Sequence, residues 1–380
     1  MLSSIFANGA FLTLIVISIA SFRPVTCFSM TGESQQLSSP AGYNLSKTST
    51  ALDVLQNLNK AQCLAPYLTS GNADSNPVAV VTGGNSGIGI PTIETLALAG
   101  MSVVLCARNT TVAKEVVSSL PNHLQSKIRI QELDLADMHS IQRAVSDIIE
   151  NEGNIQVLLN NAGVMAPPKK EVTAQNLELQ FGTNHVGHHM LTRLLLPHVS
   201  SEGRIVTVAS TAHSFGQLDF ENLNYDEHEM KGKKEGSERR YSAWGAYGQS
   251  KLANILFAKG LDDKLKEAGS DIVSVSLHPG VIGTNLWRYT PKWTRPILNM
   301  IATDKSIDQG AATNVFCCLV KSEGELNGGE YLQDCEVVEP SNSFGKDVSG
   351  SLRKKLWKST EDLIQRNGFQ LPETLFTEEK

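Results

Sequence analysis

The sequence has little cysteine, few aromatics, no excess of positive charge and no charged residue at all before Arg23. Its six cysteines are Cys27, Cys63, Cys106, Cys317, Cys318 and Cys335, and none form a Cys-x-x-Cys pair. That number in a chain of 380 residues excludes a disulfide scaffold and argues against a structural zinc site. Adjacent Cys317 and Cys318 lie in an apolar run and read as core filling. Thirty-three basic against 39 acidic residues give a formal charge of −6, so a nucleic-acid-binding surface driven by net charge is not expected. With 41% hydrophobic and 19% charged residues the balance is globular rather than disordered.

The uncharged N-terminus contains an apolar stretch, Ala10 to Ile19. It is shorter than the roughly 20 residues of a membrane span. Small residues in Ser18-Ile19-Ala20 suit a signal peptidase, so residues 1–20 read as a signal peptide or an uncleaved signal anchor. The missing Lys or Arg before the apolar core departs from the usual pattern. Residues 21–76 are Ser- and Thr-rich and poor in acids, which reads as a presequence or a linker. A secretory core followed by such a tract resembles the two-part presequence of algae with complex plastids, although Phe22 lies one residue past the usual place. The expected destinations are therefore the endoplasmic reticulum membrane or a plastid, with membrane association through the N-terminus.

From Pro77 onward, short β-rich runs alternate with longer helical patterns, the signature of βαβ units and a parallel sheet. The runs are Val78–Thr82, Met101–Ala107, Lys127–Leu133, Ile155–Asn160, Arg204–Ala209, Asp271–Leu277 and Gly329–Leu332. Seven parallel strands with helices on both faces predict one α/β domain of the Rossmann type, doubly wound, over 77–365, with a tail over 366–380. Residues 213–242 interrupt the rhythm with a polar, Lys-rich insertion. A long irregular stretch of this kind is usually functional or mobile.

The first run leads directly into Thr82-Gly83-Gly84-Asn85-Ser86-Gly87-Ile88-Gly89, after which a helix begins. Gly83, Gly87 and Gly89 permit a tight turn and let the backbone approach a pyrophosphate at the helix N-terminus. Asn85, Ser86 and Ile88 complete this candidate dinucleotide site. An NAD site wants an acid roughly 20 residues further on, to hold the ribose 2′-hydroxyl. Here the chain reads Cys106-Ala107-Arg108-Asn109 instead. A guanidinium fork pairs a 2′-phosphate, whereas an acid repels it, so NADP(H) is the expected cofactor.

Tyr247 and Lys251 stand four residues apart at the start of a helical pattern and share one face. A nearby ammonium favours phenolate and lowers a Tyr pKa from about 10. That suits a proton donor to a carbonyl oxygen during hydride delivery. Ser210 stands at the C-terminal end of the fifth strand, where ligands of such sheets bind, and its hydroxyl can bond the reacting oxygen.

These motifs, with Asn160-Asn161-Ala162-Gly163 and Pro279-Gly280-Val281-Ile282-Gly283-Thr284, resemble the short-chain dehydrogenase/reductase family over nearly all of 77–365. The resemblance implies Tyr247 as acid/base and Ser210 as the group orienting the carbonyl. It implies that Lys251 lowers the pKa of Tyr247 and binds the nicotinamide ribose, and that Asn184 holds a water of the proton relay. Asp134 and Leu135 would contact the adenine, and Asn161, Ala162 and Gly163 would line the cofactor cleft. Pro279, Gly280 and Val281 would also line it, and Thr284 would meet the carboxamide. The histidines around Asn184 would pack rather than bind metal, and no metal is expected. Within the family, Gly182-Thr183-Asn184-His185, Ala246–Asn254 and Ser276–Gly280 resemble the retinol dehydrogenase-like branch. That branch also includes a chloroplast envelope import-associated protein and WW-domain oxidoreductases. Ser210 and Tyr247 lie 37 positions apart, which places the insertion over the substrate mouth as in that branch.

The expected function is thus NADP(H)-dependent interconversion of a carbonyl and an alcohol on a lipophilic substrate, of the retinoid-like or apocarotenoid aldehyde class. Trp287, Tyr289 and Trp293 would help wall the pocket. The alternative is an NADP(H)-sensing subunit of a membrane or plastid-envelope complex. Protochlorophyllide reduction is disfavoured, because no cysteine lies between Ser210 and Gly280. The resemblance also implies dimers or tetramers, while the long insertion and the N-terminal segment leave a homo-oligomer open.

Overall fold

Five- and six-residue runs of Val, Leu, Ile and Ala are long enough for strands, too short for helices, and apolar on both faces. They therefore demand cover on both sides. The computed structural model, which describes residues 42–69, 76–226, 240–282 and 305–373, provides that cover. Residues 1–20, the Ser/Thr-rich tract over 21–41 and 70–75, and 227–239 of the insertion lie outside the described residues, as do Thr284, Trp287, Tyr289 and Trp293.

In chain order the main elements begin with α1 (Ala51–Lys60), β1 (Val78–Thr82), α2 (Gly89–Leu98), β2 (Ser102–Ala107) and α3 (Thr110–Ser119). β3 (Ile128–Glu132), α4 (Met138–Glu152), β4 (Ile155–Asn160), α5 (His188–Leu195) and β5 (Val199–Val208) follow. The C-terminal half adds α6 (Ala243–Glu267), β6 (Val273–His278), α7 (Ile307–Leu319), β7 (Tyr331–Gln333), β8 (Glu336–Val337) and α8 (Ser351–Arg366). The strands form one sheet in the order β3-β2-β1-β4-β5-β6-β7-β8.

The expected seven-stranded, wholly parallel sheet is corrected in one respect. An eighth strand, β8, turns back antiparallel on β7 with Leu332 opposite Val337. Asp334 and Cys335, both at positive φ (56° and 65°), make the tight turn between them. That backbone matches the two-residue hairpin connections which suit the twist of paired strands. A two-residue strand carries no periodicity, so no pattern announces it.

The chain order reverses at β1, whose neighbours are β2 and β4. In doubly wound sheets the ligand crevice opens at such a switch point, outside the carboxyl ends of the strands. One face is covered by α1, α2, α3 and α7, the other by α4, α5, α6 and α8. Ile93, Leu96, Val315 and Phe316 pack against Val81, Leu105 and Leu159 on the first face. Ile141, Leu191, Leu256 and Trp357 fill the second.

The described part of the fold also starts earlier than the composition suggests. Residues 42–69 fall inside the tract read as presequence or linker, yet α1 is a capped amphipathic helix. Thr50 and Asp53 form a reciprocal capping box. Val54 and Leu58 are fully buried, and α1 packs against α7. The chain then pairs with the end of α7: Ala65 N–H donates to Leu319 O (2.7 Å) and Lys321 N–H to Cys63 O (2.7 Å). Arg204 completes the junction. Wholly buried on β5, it donates to Cys317 O (3.0 Å) and Val320 O (2.5 Å) and lies 5.4 Å from the Tyr67 ring centroid. A cation at the C-terminal carbonyls of a helix meets the negative end of its dipole. The other end is extended too. Phe369 is buried and Pro372 O accepts from Arg193 (2.6 Å), so the domain runs past residue 365.

Leu58→Ala should therefore destabilise the protein by about 2–5 kcal/mol, the usual cost of truncating a well-packed core leucine. Urea denaturation is the check. A loss below about 0.5 kcal/mol, the range of ordinary surface substitutions, would mean that α1 is an ornament.

Candidate active site

The site is built where β1, β4, β5 and β6 end. Gly83 and Gly89 show why the turn after β1 is glycine-rich. Gly83 has φ +68°, and a Cβ there would stand 2.9 Å from the Ala162 Cα. A Cβ on Gly89 would stand 2.3 Å from Gly83 O. Neither position admits a side chain, so the loop folds back on itself and onto the end of β4. No side chain caps the N-terminus of α2. The positive end of its dipole remains a place for an anion.

Thr82 ties this loop to its neighbours. Its hydroxyl accepts from the backbone N–H of Asn161 and of Ala162, both at 2.9 Å. The same oxygen lies 2.9 Å from His188 Nε2. The Asn161 amide donates to Thr82 O (2.8 Å). His188 Nδ1 lies 2.9 Å from Asn184 O. A carbonyl only accepts, so Nδ1 carries the proton and Nε2 accepts from the Thr82 hydroxyl. Burial pushes His188 down to about 4, which keeps it neutral and suited to that tautomer.

Asn184 sits in a π-helical turn, Gly182–Gly187, just before α5. Such turns recur at functional sites. Its carboxamide is fixed at both ends. The oxygen accepts from Val164 N–H (2.8 Å), and the nitrogen donates to Val164 O and Ser250 Oγ, both at 2.9 Å.

Ser242 caps α6 at 3.2 Å, so the helix starts at Ala243, four residues before Tyr247. Tyr247 and Lys251 share its buried face, with the Lys251 ammonium 5.8 Å from the Tyr247 ring centroid. Lys251 Nζ donates to Val208 O at 2.9 Å, which leaves two of its donors for a ligand. An ideal Cβ on Gly163 would lie 3.7 Å from that Nζ and 3.4 Å from Asn184 Oδ1, so the Asn161-Ala162-Gly163 loop faces the same space. Ser210 follows β5 in extended backbone, its hydroxyl accepts from Ala212 N–H (3.2 Å), and it is near enough to Tyr247 to favour the charged phenol.

The electrostatics differ from the sequence expectation in one way. Tyr247 was expected to be depressed by Lys251. Instead burial raises it to about 12, with neighbouring Ser210 acting the other way. Lys251, also buried, falls to about 7. Removing either group from water disfavours its charged form, and at this separation burial outweighs the attraction.

Arg108 is exposed directly after β2, and Gly83 N–H donates to Cys106 O (2.8 Å), so the Gly-rich loop lies beside it. Asp134 and Leu135 follow β3. Asp134 accepts from Ala136 N–H (2.9 Å), while Leu135 is buried against the helices of the second face. Pro279, Gly280 and Val281 follow β6 in the described residues, and Thr284 lies outside them. The residues picked from the sequence and described thus gather at one end of the sheet. His185 packs edge-on and His189 tilted against Phe257, and among the described residues no three His, Cys, Asp or Glu side chains converge as a metal site would require.

The sequence reading missed an apolar wall. Met165, Ala166 and Ala212 cluster with Tyr247, backed by Phe215, Ala243 and Trp244. Ala166 has φ +49°, strained for a residue with a Cβ, and its N–H donates to Gln180 Oε1 at 2.7 Å. Gln180 Nε2 donates to Ala243 O (2.9 Å), so one buried amide spaces both sides of the wall. Trp244, three residues before Tyr247, was the legible signal.

Fold and site together define a nicotinamide-dinucleotide-binding oxidoreductase of the doubly wound class. Residues 77–221 match the short chain dehydrogenase family model. The chain is 35% identical over 341 residues to Short-chain dehydrogenase TIC 32 B, chloroplastic, of Brassica napus, covering 85% of this chain and 95% of that one. It is 35% identical to Retinol dehydrogenase 11 of Mus musculus, covering 78% of this chain and 90% of that one. A crystal structure of a Mycobacterium paratuberculosis protein without assigned function superposes with a TM-score of 0.61 at 31% identity, covering 79% of this chain and 98% of its own. The chain belongs to the short-chain dehydrogenase/reductase family.

The buried histidines give a pH prediction. His188 at about 4 and His278 at about 3 both lie below the ordinary 6.5, lowered first by burial. The unfolded chain therefore binds protons that the folded one refuses. The associated stability is complete above pH 6.5 and is lost as pH falls through that value towards 4 and 3. Urea midpoints should drop between pH 7 and pH 5, and an unchanged or rising midpoint contradicts the account.

Proposed function

We propose that the protein is an NADP(H)-dependent reductase or dehydrogenase that interconverts a carbonyl and an alcohol on a lipophilic substrate. The observation that carries this reading is the juxtaposition of Ser210, Tyr247 and Lys251 with an apolar wall on the Tyr247 side. The cofactor, when bound, supplies or accepts the hydride. The chain's own residues do the rest. Ser210 holds the substrate oxygen beside the Tyr247 hydroxyl, which gives its proton to that oxygen in reduction and takes one back in oxidation. Protonated Lys251 eases the charge left on Tyr247 and binds the nicotinamide ribose, while Asn184 holds a water that links Lys251 to solvent. The Gly83–Gly89 loop, Asn161–Gly163 and Pro279–Val281 cradle the dinucleotide, and Asp134 with Leu135 borders the adenine.

Arg108 supports NADP(H) over NAD(H), since it is free to meet a 2′-phosphate and no acid stands in its place. Met165, Ala166, Phe215 and Trp244 support a substrate with a bulky apolar body, in keeping with an apocarotenoid or retinoid-like aldehyde. Among the described residues no helix is long and apolar enough to cross a membrane. Any membrane anchor therefore belongs to the first 41 residues, or to another segment not described. The chloroplastic label of the TIC 32 relatives supports a plastid destination over the endoplasmic reticulum, and it also supports the second reading, an NADP(H)-sensing subunit of a plastid-envelope complex.

Oxidation of NADPH and of NADH, followed by absorbance with long-chain, terpenoid and aromatic aldehydes, tests the first reading. Tyr247→Phe should lower kcat by about 10²–10⁴-fold, the usual share of a positioned general acid. Tight NADPH binding without turnover of any aldehyde would favour the sensing subunit. Separately, Arg108→Ala should raise the KM for NADPH by about 10- to 100-fold, the value of a hydrogen-bonded charge pair, and leave that for NADH unmoved. Better turnover with NADH in the unaltered protein would remove Arg108 from its role.

A further inference from the structure

Ser210 stands at the end of a strand, on a turn that begins at once, and its hydroxyl must be held to within fractions of an ångström to serve Tyr247. The residue that holds it is His213. Its Nδ1 lies 2.6 Å from Ser210 O, and its Nε2 lies 3.1 Å from both the backbone nitrogen and the hydroxyl of Ser341. The carbonyl can only accept and the backbone N–H can only donate. Nδ1 therefore carries the proton and Nε2 is an acceptor. Burial lowers His213, which agrees with a neutral ring. Asn342 closes the other side, its amide donating to His213 O (2.7 Å) and Ser214 O (3.2 Å). The ring also stacks edge-on with Tyr331, centroids 5.3 Å apart.

We infer that His213 is a positioning residue for Ser210, clamping the catalytic turn to the segment around Ser341 and Asn342. Two features make more of it than a local turn. The partners come from 128 residues further along the chain, so the turn itself does not require them. And the ring touches the Ser210 peptide directly, while the Ser210 hydroxyl accepts from Ala212 N–H (3.2 Å) within the same turn. Ser210 O also accepts from the His213 backbone N–H (3.0 Å), so the ring adds a second hold on that carbonyl, one anchored outside the turn.

The inference rests on the oxidoreductase reading above, and the tests separate the two. Asn and Gln each imitate one nitrogen of His. The Asn amide reaches about where Nδ1 stands and can donate to Ser210 O. The Gln amide reaches about where Nε2 stands and can accept from Ser341 N–H. His213→Ala and His213→Gln should lower kcat by up to about 10²-fold, the effect of an ångström-scale misplacement, with KM for the aldehyde nearly unmoved. His213→Asn should recover most of that loss. A general packing defect would not sort the variants in this way. Full kcat in His213→Ala, or a loss in His213→Asn equal to that in His213→Ala, overturns the inference.

Amide hydrogen exchange by NMR gives a readout that needs no turnover. His213→Asn should keep the protection of Ala212 N–H and lose that of Ser341 N–H. His213→Gln should show the reverse. If the unaltered protein turns over no aldehyde, the enzyme reading falls, and this exchange pattern still decides whether His213 holds the Ser210 turn. Equal protection of Ala212 in all three variants would sink it.

Discussion

One hydroxyl holds the reaction end of the molecule together. Thr82 accepts from two successive N–H groups of β4's exit loop and donates to His188, so β1, β4 and the turn carrying Asn184 share a single hydrogen-bonding node. The cofactor side of the site is registered against this node. The Gly-rich loop starts one residue after it, Asn161 and Ala162 are bonded to it, and Asn184 is bonded to it through the imidazole. A buried node of this kind is costly if one member is lost, because the remaining donors have no water to turn to. It is also rigid when complete, which catalysis by orientation needs.

A second consequence is a division of labour between the sheet and the helices. The strands fix where the backbone ends, through a parallel register in which Val80 sits beside Val104 and Leu158. The helices fix which side chains enter the cleft. α6 is buried over most of its length, so Tyr247, Ser250, Lys251 and Asn254 all face inward. Asn254 and Lys251 both donate to Val208 O, at 3.0 and 2.9 Å, which pins the helix against the end of β5 beside Ser210.

Legibility in the sequence followed the strength of each local constraint. Six of the seven strands were placed to within about two residues at each end, because parallel strands buried on both faces read as unbroken apolar runs. The exception is β5, which begins five residues early at Val199 and passes through exposed Ser201 and Glu202. The Gly-rich loop, Ser210, Tyr247 and Lys251 were legible because each combines a residue type with a place in the topology. The wall made by Met165, Ala166, Phe215 and Trp244 was not, since it is assembled from three separated segments and only the fold brings them together. Nor was α1. Its amphipathic pattern sits among Ser and Thr residues, and composition averaged over the tract concealed a capped helix whose apolar side packs chiefly on α7, distant in sequence.

The ionisation of the two central groups shows what no pattern can carry. The spacing of Tyr247 and Lys251 says that they are neighbours, and neighbours of opposite tendency should favour each other's charged forms. It does not say that both are sealed from water. Burial moves Tyr247 up and Lys251 down, and the balance between burial and attraction depends on distance and on what fills the space between. At 5.8 Å from ammonium to ring centroid the attraction is weak. Within the chain, Ser210 is then the neighbour that favours the charged form of Tyr247. The placing of Ser210 therefore matters beyond orienting a substrate oxygen, and the contacts that fix its turn, through His213, Ser341 and Asn342, belong to the electrostatics of the site as well as to its shape.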